Sequence, residues 1–183
     1  MRKVIAAINM TLDGFCDHTA IIPDEEIHHH YADLLNNAGV VLYGRITYQL
    51  MQFWQTLLKN PSGEETMDDF AMALDKIPKI VFSRTLKSTG WESAKLANRT
   101  IEEVVLELKQ QSGKNIFVGS RSLIIQLMKL NLIDEYQLMV HPVVAGSGLP
   151  LFENINDRTI LKLIKTKTFS VGAVTLFYEP TKK

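Results

Sequence analysis

The chain has 183 residues, with 20 Lys+Arg balanced by 20 Asp+Glu, and is 46% hydrophobic and 22% charged. That apolar content excludes a disordered chain, and the length fits one domain spanning residues 1–183 with a core of its own. The missing basic excess argues against a nucleic-acid partner, and the lone cysteine, Cys16, leaves no intramolecular disulfide.

Lys3 to Asn9 reads as the first strand, apolar enough to be covered on both faces. The apolar run Val4 to Ile8 is too short for a signal-peptide core or a membrane span, so a cytoplasmic protein without a membrane partner is expected. A Gly- and Thr-containing loop follows from Met10 to Pro23. Asp24, Glu25 and Glu26 open a helix that carries Ile27, Tyr31, Leu34 and Leu35 at helical spacing to Asn37, with Gly39 as its stop. Val40 to Tyr43 is a second strand, and Gly44 opens a helix over Arg45 to Phe53. After a polar loop, Met67 to Lys76 forms a short helix and Lys79 to Phe82 a third strand.

Ile101 to Gln111 is helical, Asn115 to Val118 a strand, and Ser120 to Leu130 a helix with Leu123, Ile124, Leu127 and Met128 on one stripe. Glu135 to His141 is the fifth strand, and Pro142 to Pro150 is a Gly-rich loop. Thr159 to Thr168 and Val174 to Glu179 then alternate around a turn at Ser170 to Gly172. Repeated strand–helix–strand units with that finish describe an α/β three-layer sandwich: a mostly parallel twisted central sheet with a C-terminal antiparallel hairpin. Such sheets bind ligands at the carboxyl ends of their strands.

Three of those ends suit phosphate. Gly44-Arg45-x-Thr47 gives a helix N-terminus, a guanidinium fork and a hydroxyl. Ser83-Arg84-Thr85 delivers the same types past the third strand, and Gly119-Ser120-Arg121-Ser122-Leu123 brings a small-residue turn into a helix. Each has a plainer alternative: a glycine turn, a surface arginine, a helix cap at Ser120. Neither G-x-G-x-x-G nor G-x-x-x-x-G-K-[ST] occurs. Three such ends on one sheet fit a dinucleotide phosphate, and the arginines favour NADPH over NADH.

Taken with Ala6-Ala7, Leu12-Asp13-Gly14, the Leu132-Ile133-Asp134-Glu135 stretch and the Pro142-Val143-Val144-x-Gly146-x-Gly148 loop ending in Leu151-Phe152, these motifs resemble the dihydrofolate-reductase-like superfamily. Within it the chain looks closest to the reductase domain of the bacterial riboflavin-biosynthesis deaminase–reductase. The resemblance implies that Ala6 and Ala7 line the nicotinamide site, and that Gly44, Arg45 and Thr47 hold cofactor phosphates. It further implies Ser83 and Arg84 at the adenosine 2′-phosphate, Thr85 among the cofactor contacts, and Gly119 to Leu123 at the pyrophosphate. The Met10 to Pro23 loop would be a lid, flanked by Pro142 to Gly148. Where the family often has Gly-Gly, this chain has Gly119-Ser120, with a larger residue in that turn. No single residue of Asp24 to His30 is the obvious counterpart of the folate-pocket carboxylate, and the folate lid signature is absent, so folate reduction is not expected.

His28-His29-His30 invites a metal, but adjacent helical side chains point about 100° apart, so no metal is expected. His28 and Asp13 are the candidate proton donors, Asp13 being alternatively an Asp-Gly turn residue. Asn9, Gly14, Phe15, Tyr31, Trp54 and Gly146 are the candidate substrate contacts. The expected function is an NADPH-dependent reductase passing a hydride to a small heterocyclic, carbonyl or imine substrate, similar to 5-amino-6-(5-phosphoribosylamino)uracil reductase. The alternative is a non-catalytic nucleotide- or flavin-binding module of the same fold. The exposed terminal strands make a homodimer the expected assembly.

Overall fold

The computed structural model describes residues 1–21, 23–155 and 158–181. Eight strands form one sheet: β1 (Val4–Thr11), β2 (Ala38–Gly44), β3 (Lys79–Phe82), β4 (Ala94–Leu96), β5 (Asn115–Val118), β6 (Glu135–His141), β7 (Leu161–Thr168) and β8 (Val174–Pro180). Their order is β4-β3-β2-β5-β1-β6-β8-β7. Neighbours from β4 to β6 are parallel, and β8 runs antiparallel to both β6 and β7. The helices are α1 (Glu25–Asn36), α2 (Arg45–Leu57), α3 (Glu65–Lys76), α4 (Ile101–Gln110) and α5 (Arg121–Lys129).

Successive strand residues face opposite sides of a sheet, and here that alternation sorts the apolar residues into two cores. Val40, Leu42, Ile116 and Val118 pack with Val104, Val105, Leu123 and Leu127 of α4 and α5. Val41, Tyr43, Phe117 and Val81 pack with Leu35, Tyr48, Phe70 and Leu74 of α1, α2 and α3. Three layers follow, with helices on both faces of the parallel strands, as the near-continuous apolar runs require.

The strands Lys79–Phe82, Asn115–Val118 and Glu135–His141 and the C-terminal hairpin stand where the sequence puts them. β4 is not foreseen: it is three residues long, with a central lysine. Gly39 does not end α1. Asn37 caps it, in a right-handed conformation, and Gly39 lies within β2. A Cβ on Gly39 would stand 3.2 Å from the Lys114 carbonyl oxygen and 2.8 Å from the movable guanidinium of Arg2, so the space around this glycine is tight. Beyond β6 the sheet thins. β7 is exposed along nearly its whole length and carries Lys162, Lys165 and Lys167, charges that discourage strand pairing at an open edge.

Candidate functional site

A cleft of about 1740 Å³ opens over the carboxyl ends of β1, β2, β3 and β5. β1 and β2 are adjacent in sequence but separated by β5, so the chain reverses direction across the sheet here, the usual ligand position in this architecture.

The end of β2 is fixed by a serine. Ser120 is buried, and its Oγ accepts the Gly44 N–H at 3.1 Å and shares a hydrogen bond with Thr47 Oγ1 at 2.9 Å. The ends of β2 and β5 are thereby tied together. Gly44 allows this closeness, since a Cβ there would stand 3.0 Å from Ser122 Oγ and 3.1 Å from Ser120 Oγ. Ser120 is at the cap position of α5, but its side chain makes no capping bond because it is committed to β2.

Helix starts differ sharply around the cleft. Asp24 caps α1 and Thr100 caps α4 through a reciprocal capping box with Glu103, and α1, α3 and α4 carry acids in their first turns. α2 and α5 have no side-chain cap and no first-turn acid, and each begins with an arginine, Arg45 and Arg121. The first residues of both helices, Arg45 to Thr47 and Arg121 to Leu123, line the cleft together with Gly119. The Arg121 guanidinium is otherwise engaged, with Nε donating to the Pro150 carbonyl at 2.7 Å and an ion pair to Glu153 at 2.6 Å. Arg45 is exposed and donates to Gln49 at 3.1 Å.

Ser83, Arg84 and Thr85 continue the cleft past β3. The Ser83 hydroxyl accepts the N–H groups of Thr85 and Leu86 at 3.2 and 3.0 Å, which shapes the turn that presents Arg84. Asn98, Arg99 and Thr100, just past β4, complete this end and are not among the sequence candidates. A strand recognised at Ala94–Leu96 would have marked them as another strand-end loop.

At the opposite end, β1 contributes Ala7 and Asn9, and α1 contributes His28 and Tyr31. Asn9 Oδ1 is held by the buried His141 ring at 3.0 Å. The His28 ring meets Trp54 edge-on at 5.5 Å, and Trp54 meets Phe70 at 4.6 Å; Phe70, too, is not a sequence candidate. Burial pulls the His28 pKa down, against the opposing fields of Glu64 and Asp24. The histidine run diverges: His29 pairs with Asp33 at 3.4 Å, and His30 packs against Tyr31 and Phe169 with its pKa drawn down to about 4, chiefly by burial.

Five candidates fall outside the cleft. Ala6 faces the α4–α5 core, because it alternates with Ala7 along the strand. Asp13 is exposed and pins two loops: it takes hydrogen bonds from Thr11 Oγ1 at 2.6 Å and from the N–H groups of Ala145 and Gly146 at 3.1 and 2.7 Å. The Thr11 bond leads in lowering its pKa to about 2, and the two backbone donors add to it. Gly14 and Phe15 belong to the same seam: the Leu151 N–H donates to the Gly14 carbonyl at 2.9 Å, and Phe15 bridges to Pro150. Gly146 is on the outer side, against Asp13.

Further contacts close that seam. The Leu12 N–H donates to Val143 and the Cys16 N–H to Leu149, both at 2.8 Å, and Asp17 accepts the Leu149 N–H at 2.6 Å. Residues 11–17 are therefore zipped to residues 143–151. Cys16, Asp17 and Leu149 of that seam line the cleft, as do His18, Ile21 and Pro23 beyond it. Of the expected lid, Ile22 lies outside the described residues. Cys16, half-buried with its thiol pushed up to about 11, chiefly by burial, is protonated.

Residues 2–176 match the RibD C-terminal domain family. The chain belongs to that family. The uncharacterized protein YyaP of Bacillus subtilis is 35% identical over 97% of this chain and 94% of its own length. Among solved structures, a Shewanella sp. PV-4 protein described as a riboflavin biosynthesis protein superposes with a TM-score of 0.73 at 18% identity, covering 98% of this chain and 99% of that one. A pyrimidine reductase-like protein from Corynebacterium diphtheriae gives 0.68 at 15% identity, covering 100% and 93%. The RibD C-terminal fold, a mostly parallel sheet with antiparallel strands at its end, is thus shared across these chains. Among the described residues no helix is long and apolar enough to cross a membrane.

Proposed function

We propose that this RibD C-terminal family member is an NADPH-dependent reductase that passes a hydride to an electrophilic carbon of a small heterocyclic, carbonyl or imine substrate. The contrast among helix starts carries the reading. An arginine beside the positive end of a helix is disfavoured by roughly 0.3–1 kcal/mol, yet the two helices that begin with one are the two that lack both a cap and a first-turn acid, and both open on the cleft. A bound anion reverses that penalty and satisfies the free N–H groups.

A dinucleotide phosphate fits these donors. The amides at the starts of α2 and α5 would hold the pyrophosphate, with Thr47 and Ser122 as neutral donors and Arg45 as the mobile charge. Arg84 would meet the adenosine 2′-phosphate; it is exposed and forms no ion pair among the described residues. When bound, NADPH supplies the hydride from its nicotinamide ring. Ala7, with only a methyl group, leaves room for a flat ring against the end of β1. Asn9, held by His141, keeps its amide nitrogen free to donate toward the cleft. Burial lowers the His28 pKa, so a neutral ring donates a hydrogen bond to the substrate atom gaining negative charge, and solvent supplies the proton that this atom takes up to complete the reduction. The walls exclude water and hold the partners in line.

Titrating the protein with NADPH by calorimetry, then following loss of nicotinamide absorbance with a panel of pterins, pyrimidines, quinones and imines, tests the proposal. Saturable binding with consumption is expected. No saturable binding at millimolar NADPH overturns it, and binding without consumption across the panel favours the non-catalytic module instead.

A further inference from the structure

We propose that the acceptor for this reductase is a flat, uncharged heteroaromatic ring system that carries no phosphate. The inference rests on the reductase reading above and concerns the end of the cleft away from Arg84.

The cleft is divided by charge. Its cationic side chains among the described residues are Arg45, Arg84, Arg99 and Arg121, all on the loops and helix starts that follow β2, β3, β4 and β5. Where α1 and α2 overhang the end of β1, the walls are His28, Tyr31, Trp54 and Phe70, with Ile21 and Pro23 at the rim, and no lysine or arginine lies among them. A phosphate brought against His28, Trp54 and Phe70 would meet no guanidinium fork; Arg121, whose charge reaches Cys16 beside Tyr31, is already paired with Glu153. α1 is closed by Asp24, and α3 carries Glu65 and Asp68 in its first turn. The charges that reach His28 are acidic, Glu64 and Asp24, and burial keeps the imidazole itself neutral. A dianion would be repelled on one side and uncompensated on the other.

The same walls suit a ring. His28 stands at 76° to Trp54, and Trp54 at 66° to Phe70, so the cluster presents both faces and edges to a planar guest, the arrangements aromatic pairs prefer. Apolar surface beside them is left uncovered: Phe53, edge-on to Trp54, is 55% exposed and lines the cleft. An exposed apolar wall with a few polar groups, Asn9 and His28, is the usual make-up of a site for a small aromatic ligand.

A matched pair of probes isolates the phosphate. Riboflavin and FMN share one ring and differ by a terminal phosphate. With the protein saturated by NADP+, so that the α2 and α5 starts are filled, riboflavin is expected to bind at least tenfold more tightly than FMN by calorimetry. Trp54→Ala should weaken riboflavin more than tenfold while the melting shift produced by NADP+ persists, and His28→Ala serves if Trp54→Ala does not fold. Equal or tighter binding of FMN, or no binding of either ring, overturns the inference. Failure of NADP+ itself to bind is a separate result, which strikes the reductase reading and leaves the ring preference measurable in the free protein.

Discussion

Replacing Ser120 by alanine removes a single oxygen and should be felt in the whole fold. That oxygen has two partners, the Gly44 N–H and Thr47 Oγ1. Thr47 is only half-buried and can turn its hydroxyl to water. The Gly44 N–H cannot, because that hydrogen bond is buried and the residue itself ends a strand paired with β3. Leaving a buried backbone donor without an acceptor costs about 1–3 kcal/mol. For a chain of this size, each kcal/mol lowers the melting temperature by about 2–4 °C. Ser120→Ala should therefore melt roughly 2–12 °C below the parent by differential scanning calorimetry. Ser122→Ala is the matched control: Ser122 is exposed and its hydroxyl has no partner among the described residues, so its melting temperature should stay within about 2 °C. Equal melting of Ser120→Ala and the parent would refute the claim that this hydroxyl ties β2 to β5.

Arg84→Ala should weaken NADPH by about 10- to 100-fold, the size of a lost charge-assisted bond, and leave NADH within twofold in fluorescence titrations at one salt concentration; equal losses would place the 2′-phosphate elsewhere. Asp13→Ala should speed hydrogen exchange at the Ala145 and Gly146 amides at least tenfold, since both donate to that carboxylate. Acid should likewise lower the protection of these two amides relative to their intrinsic exchange rates at each pH. The folded pKa lies below the unfolded value, so the pinning contribution is complete above about pH 4 and lost as pH falls through about 2; protection unaffected by acid in that window would contradict it. Gly148→Ala should destabilise the protein by more than about 1 kcal/mol in urea, because the residue has φ +143° and a new methyl would stand 2.1 Å from Asp17 Oδ2; an unchanged midpoint would refute the seam.

The sequence is legible where local signals and burial agree. Ile80-Val81-Phe82 and Ile116-Phe117-Val118 are short apolar runs with polar or glycine boundaries, and they are strands because both faces are covered. The cleft's phosphate-suited loops are legible for the same reason: each follows such a strand. Ala94-Lys95-Leu96 is not, since two half-buried residues around one exposed lysine are too few to show a period, and its loop is lost with it. Ala6 is misplaced although strand alternation alone separates it from Ala7. The Asp13 and Asp17 contacts join residues about 130 positions apart, and nothing local in Asp-Gly reports that. Phe70 reaches the cleft only through the packing of α3 on α1 and α2, a tertiary fact with no mark on the helix itself.

The place of β1 has a consequence for how the chain is made. It is the first strand to emerge during synthesis, yet both its edges are filled by strands from residues 115–141, through Val4↔Ile116 and Ile5↔Glu135. β2, β3 and β4 are neighbours in sequence and in the sheet, so that half can assemble early. β1 waits, apolar and unpaired, while a loop of about 110 residues is threaded around it. Folding speed should then be governed by that late closure rather than by the helices, and the nascent chain is most prone to aggregate in the interval before β5 and β6 arrive.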